Sequence, residues 1–155
     1  MRSIILAALI VFSIARFATA QSTEPPRPLT VEGIRQWQRT GALKPWSQWP
    51  AEIKLDVCGD HHEELFLAVG AFSRGMTYAL FTPHEHSWTL LSDSVDCTAG
   101  MLDVLSTEHH GYHDFAAFQR SGRGGFFVRV YSWSGAHYTE KVNWEMTRDQ
   151  LYGRQ

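Results

Sequence analysis

Beyond its first 20 residues this chain has no apolar run long enough to cross a bilayer, which takes about 20 consecutive helical residues, and it has only two cysteines among 155 residues. A CxxC pair, an HExxH helix and a GxSxG elbow are all absent. Those gaps remove the usual signatures of a thiolate metal or redox pair, a zinc-protease helix and a serine-hydrolase nucleophile turn. Clustered basic charge is scarce too. Only Arg120, Arg123 and Arg129 come close together, whereas binding to a phosphate backbone draws on a broad field of Lys and Arg. Nucleic acid is not an expected partner, and the three arginines read as the rim of one hairpin.

The N-terminus reads as a secretory signal peptide over residues 1–20. Arg2 supplies the positive start, Ile4 to Ala15 is almost wholly apolar, and Ala18-Thr19-Ala20 has the small-x-small pattern of a cleavage site. Position 21 is Gln rather than the Cys of a lipoprotein. A secreted or periplasmic protein is expected, with 12 of the 14 basic residues left against 16 acidic ones and a mature net charge near −4. Export makes a disulfide between Cys58 and Cys97 the default. Such a staple around the first half of the chain is worth about 4 kcal/mol on the loop-closure model.

The strongest pattern is internal repetition. LDVCGDHH from Leu55 is echoed by LDVLSTEHH from Leu102, and an offset of 50 residues then holds from Leu65/Phe115 through Gly75/Gly125 to Thr89/Thr139. A period of this size marks stacked supersecondary units. Residues 21–29 read as a flexible, proline-rich lead, and 30–155 as one β-domain with repeats over 53–93 and 101–144. Thr30 is a fitting N-cap for a helix to about Thr40, with Val31, Ile34 and Trp37 as its apolar stripe. Trp46 and Trp49, between Pro45 and Pro50, read as plugs over a sheet edge.

Ile53–Val57, Glu64–Phe72, Met76–Thr82 and Trp88–Ser92 form one predicted meander; Met101–Leu105, Asp114–Gln119, Phe126–Ser132 and Tyr138–Trp144 form the other. Glu64–Phe72 and Asp114–Gln119 are apolar enough to be covered on both faces. Tyr138, Glu140 and Val142 alternate with Thr139 and Lys141, the pattern of a half-exposed edge strand. The fold class is mainly β: antiparallel sheets from two four-stranded repeats, as a sandwich or barrel, with a short N-terminal helix.

Leu65 to Ala71, and Gly111 to Ala117 followed by Val128 to Gly135, resemble the blades of FG-GAP/VCBS-type repeat proteins. The likeness covers roughly residues 55–143 and implies blade-like units. Where that family often carries an Asp-rich calcium loop, this chain has Asp60-His61-His62-Glu63 and Glu108-His109-His110-Gly111. Ser134-Gly135-Ala136-His137-Tyr138 is similar to the S-G-x-x-Y segment that periplasmic lysozyme inhibitors insert into their target, which implies an inhibitor as one alternative.

Candidate chemistry follows two lines. Five of the eight histidines, His61, His62, His109, His110 and His113, fall at repeat-equivalent places; if the loops converge they make an alternative metal site for zinc or copper. Solvated turn histidines are the simpler account. Ser132, Ser134, His137 and Asp114 have the letters of a hydrolytic triad without an orienting motif, so no enzyme is expected. The leading expectation is a non-catalytic binding protein, without a cofactor, for a protein or cell-envelope ligand. Its recognition surface would be Trp88, Trp133, Ser134 and Tyr138 with the turns His84–Ser87 and Ser134–His137. The same aromatics serve equally well as caps on the core, and an oligomer remains open.

Overall fold

A computed structural model describes residues 24–40, 49–151 and 153. The signal-peptide reading of residues 1–20, the first part of the lead and Trp46 lie outside the described residues. Thr30 caps helix α1 (Val31–Arg39): its side chain accepts a hydrogen bond from the Gly33 N–H at 3.1 Å, and Val31, Ile34 and Trp37 are the buried stripe. No described helix is long and apolar enough to cross a membrane.

Eight strands follow. β1 (Glu52–Leu55), β2 (Glu64–Phe72), β3 (Gly75–His84) and β4 (Ser87–Cys97) form one antiparallel sheet in chain order; β5 (Leu102–His109), β6 (Tyr112–Arg120), β7 (Phe126–Trp133) and β8 (Tyr138–Met146) form the other. A short helix, α2 (Arg148–Leu151), comes after β8. The molecule is a mainly β protein whose two meanders pack face to face, not a closed barrel. β4 outruns its expected end at Ser92 by five residues, because two register shifts against β3 carry the pairing on to Cys97.

Strand alternation decides the layers. On one face of the first sheet, Leu65, Leu67, Val69, Ala79 and Phe81 pack beneath Leu29, Val31 and Ile34. On the other, Phe66, Ala68, Met76, Tyr78 and Leu80 meet Phe115, Ala117, Tyr131 and Tyr138 of the second sheet. Phe66 and Phe115 touch edge to face, with centroids 5.7 Å apart. The order is helix, sheet, sheet. Under the 50-residue offset, Leu65 and Leu67 correspond to Phe115 and Ala117, so both sheets present the same face toward the preceding layer. They stack head to tail rather than back to back.

The expected disulfide is not formed. Cys58 and Cys97 are both buried free thiols, and strand register explains why. The Cys58 N–H donates to the Glu64 side chain at the start of β2, whereas Cys97 pairs with Met76, which pairs in turn with Ala71. Seven residues of strand separate those two ends, roughly 20 Å at the usual rise per residue, and a disulfide requires Cα atoms within about 7 Å. Burial holds the Cys58 thiol far above its ordinary range, with Glu64 adding to the effect, and pushes Cys97 up to about 12. Neither sulfur forms much thiolate at neutral pH. Alkylation of the native protein at pH 7.5 should therefore leave both thiols unmodified, and alkylation after denaturation without reductant should add two groups by mass; a product with none would restore the disulfide.

Candidate functional site

Glu64 and Asp114 are repeat-equivalent carboxylates, each buried at the start of a central strand. Glu64 accepts hydrogen bonds from the Val57 and Cys58 N–H groups, at 2.8 and 3.2 Å, and from the Thr82 hydroxyl at 3.0 Å. A buried carboxylate needs such partners, and these fix the loop that leads into β2. Asp114 accepts from the Thr107 hydroxyl at 2.7 Å and from Ser132, the counterpart of Thr82. Its Oδ1 also lies 2.8 Å from His109 Nδ1. Although desolvation pulls the other way, the bonds from Thr107, Ser132 and His109 and the imidazole's charge hold the Asp114 carboxyl below its usual range.

The two histidine loops do approach each other. A side chain on Gly59 would strike the His113 ring at 2.6 Å, so His113 rests on the backbone of the first loop. The Tyr138 hydroxyl donates to the His113 carbonyl at 2.9 Å and the Val57 carbonyl at 3.3 Å, closing the seam; burial keeps that hydroxyl protonated by raising its pKa well beyond the ordinary range. The imidazoles themselves diverge. His62 Nδ1 is 3.5 Å from Asp60, His109 turns to Asp114, His113 Nε2 is 3.4 Å from Glu108, and His61 and His110 sit exposed at positive φ. Among the described residues no three His, Cys, Asp or Glu side chains converge as a metal site would need. Asp114 therefore binds His109 and Ser132, while Ser134 and His137 bond one another across their own turn, the Ser134 hydroxyl donating to the His137 carbonyl at 2.6 Å.

Of the expected recognition residues, Ser134 is exposed in its turn and Tyr138 is core, in edge contact with Phe115 and Tyr112. Trp133 is half-buried and stacked on Tyr112 at 4.5 Å, and Trp88 packs against the α1 layer. The turn Ser134–His137 still borders a cleft of about 330 Å³, lined by Leu90, Leu91, Ser92, Asp93, His137 and Tyr138. Arg129 does not join a basic rim. It turns to Gln119 at 2.7 Å, Glu140 at 3.4 Å and Asp96 at 3.6 Å, which links the sheets.

The surface that sequence reasoning missed lies on the far side of the second sheet. A register shift pairs Val130 with Val142 but Tyr131 with Glu140, leaving Lys141 as an extra residue. Tyr138 and Glu140 thus share one face while Val142 and Trp144 take the other, where Trp144 pairs with Val128 and Val128 with Phe118. Val142 is 52% exposed and Trp144 41%. No described helix is layered on this face as α1 is on the first sheet. An unbroken alternation from Tyr138 conceals the patch, because the bulge reverses its parity. No family model matches this sequence, and no match to it was found among curated proteins or solved structures.

Asp114→Asn should destabilise the protein at pH 7 by about 2 kcal/mol, the scale of hydrogen bonds to a buried charge. The sign is that of a lowered folded-state carboxyl: its contribution is complete above the unfolded value and is lost as the pH falls through the folded one. The gap between wild type and variant in urea denaturation should therefore narrow from pH 7 to pH 3. A constant gap would show that the charge is not involved.

Proposed function

We propose that this is an exported, non-catalytic binding protein that engages a polypeptide partner on the outer face of β5–β8, around Phe118, Val130, Val142 and Trp144. One observation carries the reading. The equivalent face of the first sheet, formed by Phe66, Ala68, Tyr78 and Leu80, is buried entirely, and what buries it is another β-layer. The second sheet repeats that apolar surface and leaves Val142 and Trp144 in water. Val142 and Trp144 lie exposed on β8 beside half-buried Phe118 and Val130; exposed apolar side chains that neighbour one another are the usual mark of an interaction site, and Trp is the residue type that most often anchors one. The partner the face suits is a strand layer or amphipathic helix bearing apolar side chains at two-residue or helical spacing.

The readings compete on geometry. An inhibitor that inserts its S-G-x-x-Y tyrosine into a target would have to unpack Tyr138 from two carbonyl hydrogen bonds and the shared core. A hydrolytic or metal-dependent role would need its groups brought together from separate turns. Binding through the outer face needs no rearrangement.

A photo-crosslinking residue in place of Trp144, tested in the cell that makes the protein, should yield one discrete adduct identifiable by mass spectrometry. The same residue in place of Glu63, on the exposed loop before β2, should yield none. An adduct of twice the chain mass would name a second copy as the partner. Equal diffuse products from both positions, or none from position 144, would overturn the assignment.

A further inference from the structure

The outer face of the second sheet is laid out in levels that run across the strands. Ala116, Val130 and Val142 share one level, Phe118, Val128 and Trp144 the next, and Arg120, Phe126 and Met146 the one after. On the other side of Ala116 comes the level of Asp114, with Ser132 and Thr139. Along β6 the outward residues therefore run acid, small residue, large aromatic, base. That order is its own complement. Reversing the strand direction about a two-fold axis that lies across the strands, between the Ala116 and Phe118 levels, sets Ala116 opposite Phe118 and Asp114 opposite Arg120. The same operation sets Val142 opposite Trp144, so the bulkier side chains meet the smaller ones.

We infer that the polypeptide docked on this face is a second copy of the same chain, joined face to face by that two-fold axis; the inference rests on the docking reading above and names its partner. A two-fold contact uses one patch twice, so the patch must fit itself, and the acid–small–aromatic–base order does so. Charge is placed to match. Arg120 is exposed at one end of the face, and at the other the Asp114 carboxylate lies on the outward side beneath half-exposed His109. Because that carboxylate is nearly covered by its own partners, Arg120 of the second copy acts on it through the field, which salt screens little once water has left the face. The equivalent face of the first sheet is already closed by a β-layer of this same chain, and the second copy supplies such a layer again. Four strands at about 4.8 Å spacing, along the seven residues from Asp114 to Arg120 at about 3.3 Å each, give a footprint of roughly 450 Å² per copy. That is toward the small end of specific interfaces, so the dimer should form reversibly with a dissociation constant on the order of micromolar.

The test is sedimentation velocity of the purified protein over a concentration range from about 1 to 500 μM, which brackets that constant. A reversible passage from monomer to dimer is expected, with no larger species, because a two-fold contact closes on itself. W144K should weaken the dimer at least tenfold, R120E severalfold, and E63K, on the exposed loop before β2, not at all. Thermal midpoints at the lowest concentration, where every variant is monomeric, should match wild type and separate loss of the dimer from loss of the fold. V142K places the same charge on the same face and takes the place of W144K if that variant unfolds. A monomer at every concentration, species that grow beyond the dimer, or a dimer indifferent to W144K or R120E would overturn the inference. The photo-crosslinking at position 144 tells the two readings apart. A monomer together with a discrete adduct to a different protein removes the second copy and keeps the docking face; a monomer with no adduct removes both.

Discussion

Because Leu65 to Val69 are apolar without a break, β2 cannot rest stably with either of its faces in water, and the arrangement of the protein follows from that constraint. One face is covered by Leu29 with Val31 and Ile34 of α1, and the other by the Phe115–Tyr131 side of the second sheet. Each fully buried Leu or Phe on that strand contributes roughly 1.5–3 kcal/mol by leaving water. Neither cover is optional on that scale, since whole-domain stabilities are only about 5–15 kcal/mol. The helix and the second sheet are thus two answers to one requirement, and the central sheet serves as the substrate on which both are laid.

The repeat shows how the same local device behaves in two surroundings. In the first sheet a carboxylate at the strand entrance, Glu64, is sealed beneath Tyr138 and spends its bonds on the backbone of the preceding loop. In the second, the shorter Asp114 sits on the outward side and finds a threonine, a serine and a half-exposed imidazole instead. The hydroxyl across the hairpin is retained in both. What changes is the next layer: where one is present, the Val57 carbonyl of the loop receives a tyrosine hydroxyl from it, and where none is described, a histidine of the same sheet bonds the acid itself.

Much of the fold was legible in the sequence, because period-two alternation and glycine punctuation are local and the two units support each other. The N-cap at Thr30, the central strands, the paired hairpins and the 50-residue offset all follow from such signals. What escaped depended on long-range register. Two cysteines that bracket a repeat look like a staple until antiparallel pairing sets them at opposite ends. Tyr138 suits a recognition surface or a core cap equally well in the sequence, and only its hydroxyl bonds to the carbonyls of residues 57 and 113 decide for the core. One extra residue at Lys141 turns Val142 away from the face that Tyr138 occupies.

The head-to-tail stacking of the sheets has an evolutionary consequence. A unit related to its neighbour by translation, rather than by a two-fold axis, can be copied in tandem without inventing a new interface, since each added copy reuses the contact surfaces already selected. Among the described residues α1 covers the outer side of the first sheet and no helix covers the second in the same way. A further copy of the unit would add about 50 residues and bring its own buried acid–hydroxyl pair, the counterpart of Glu64–Thr82 and Asp114–Ser132.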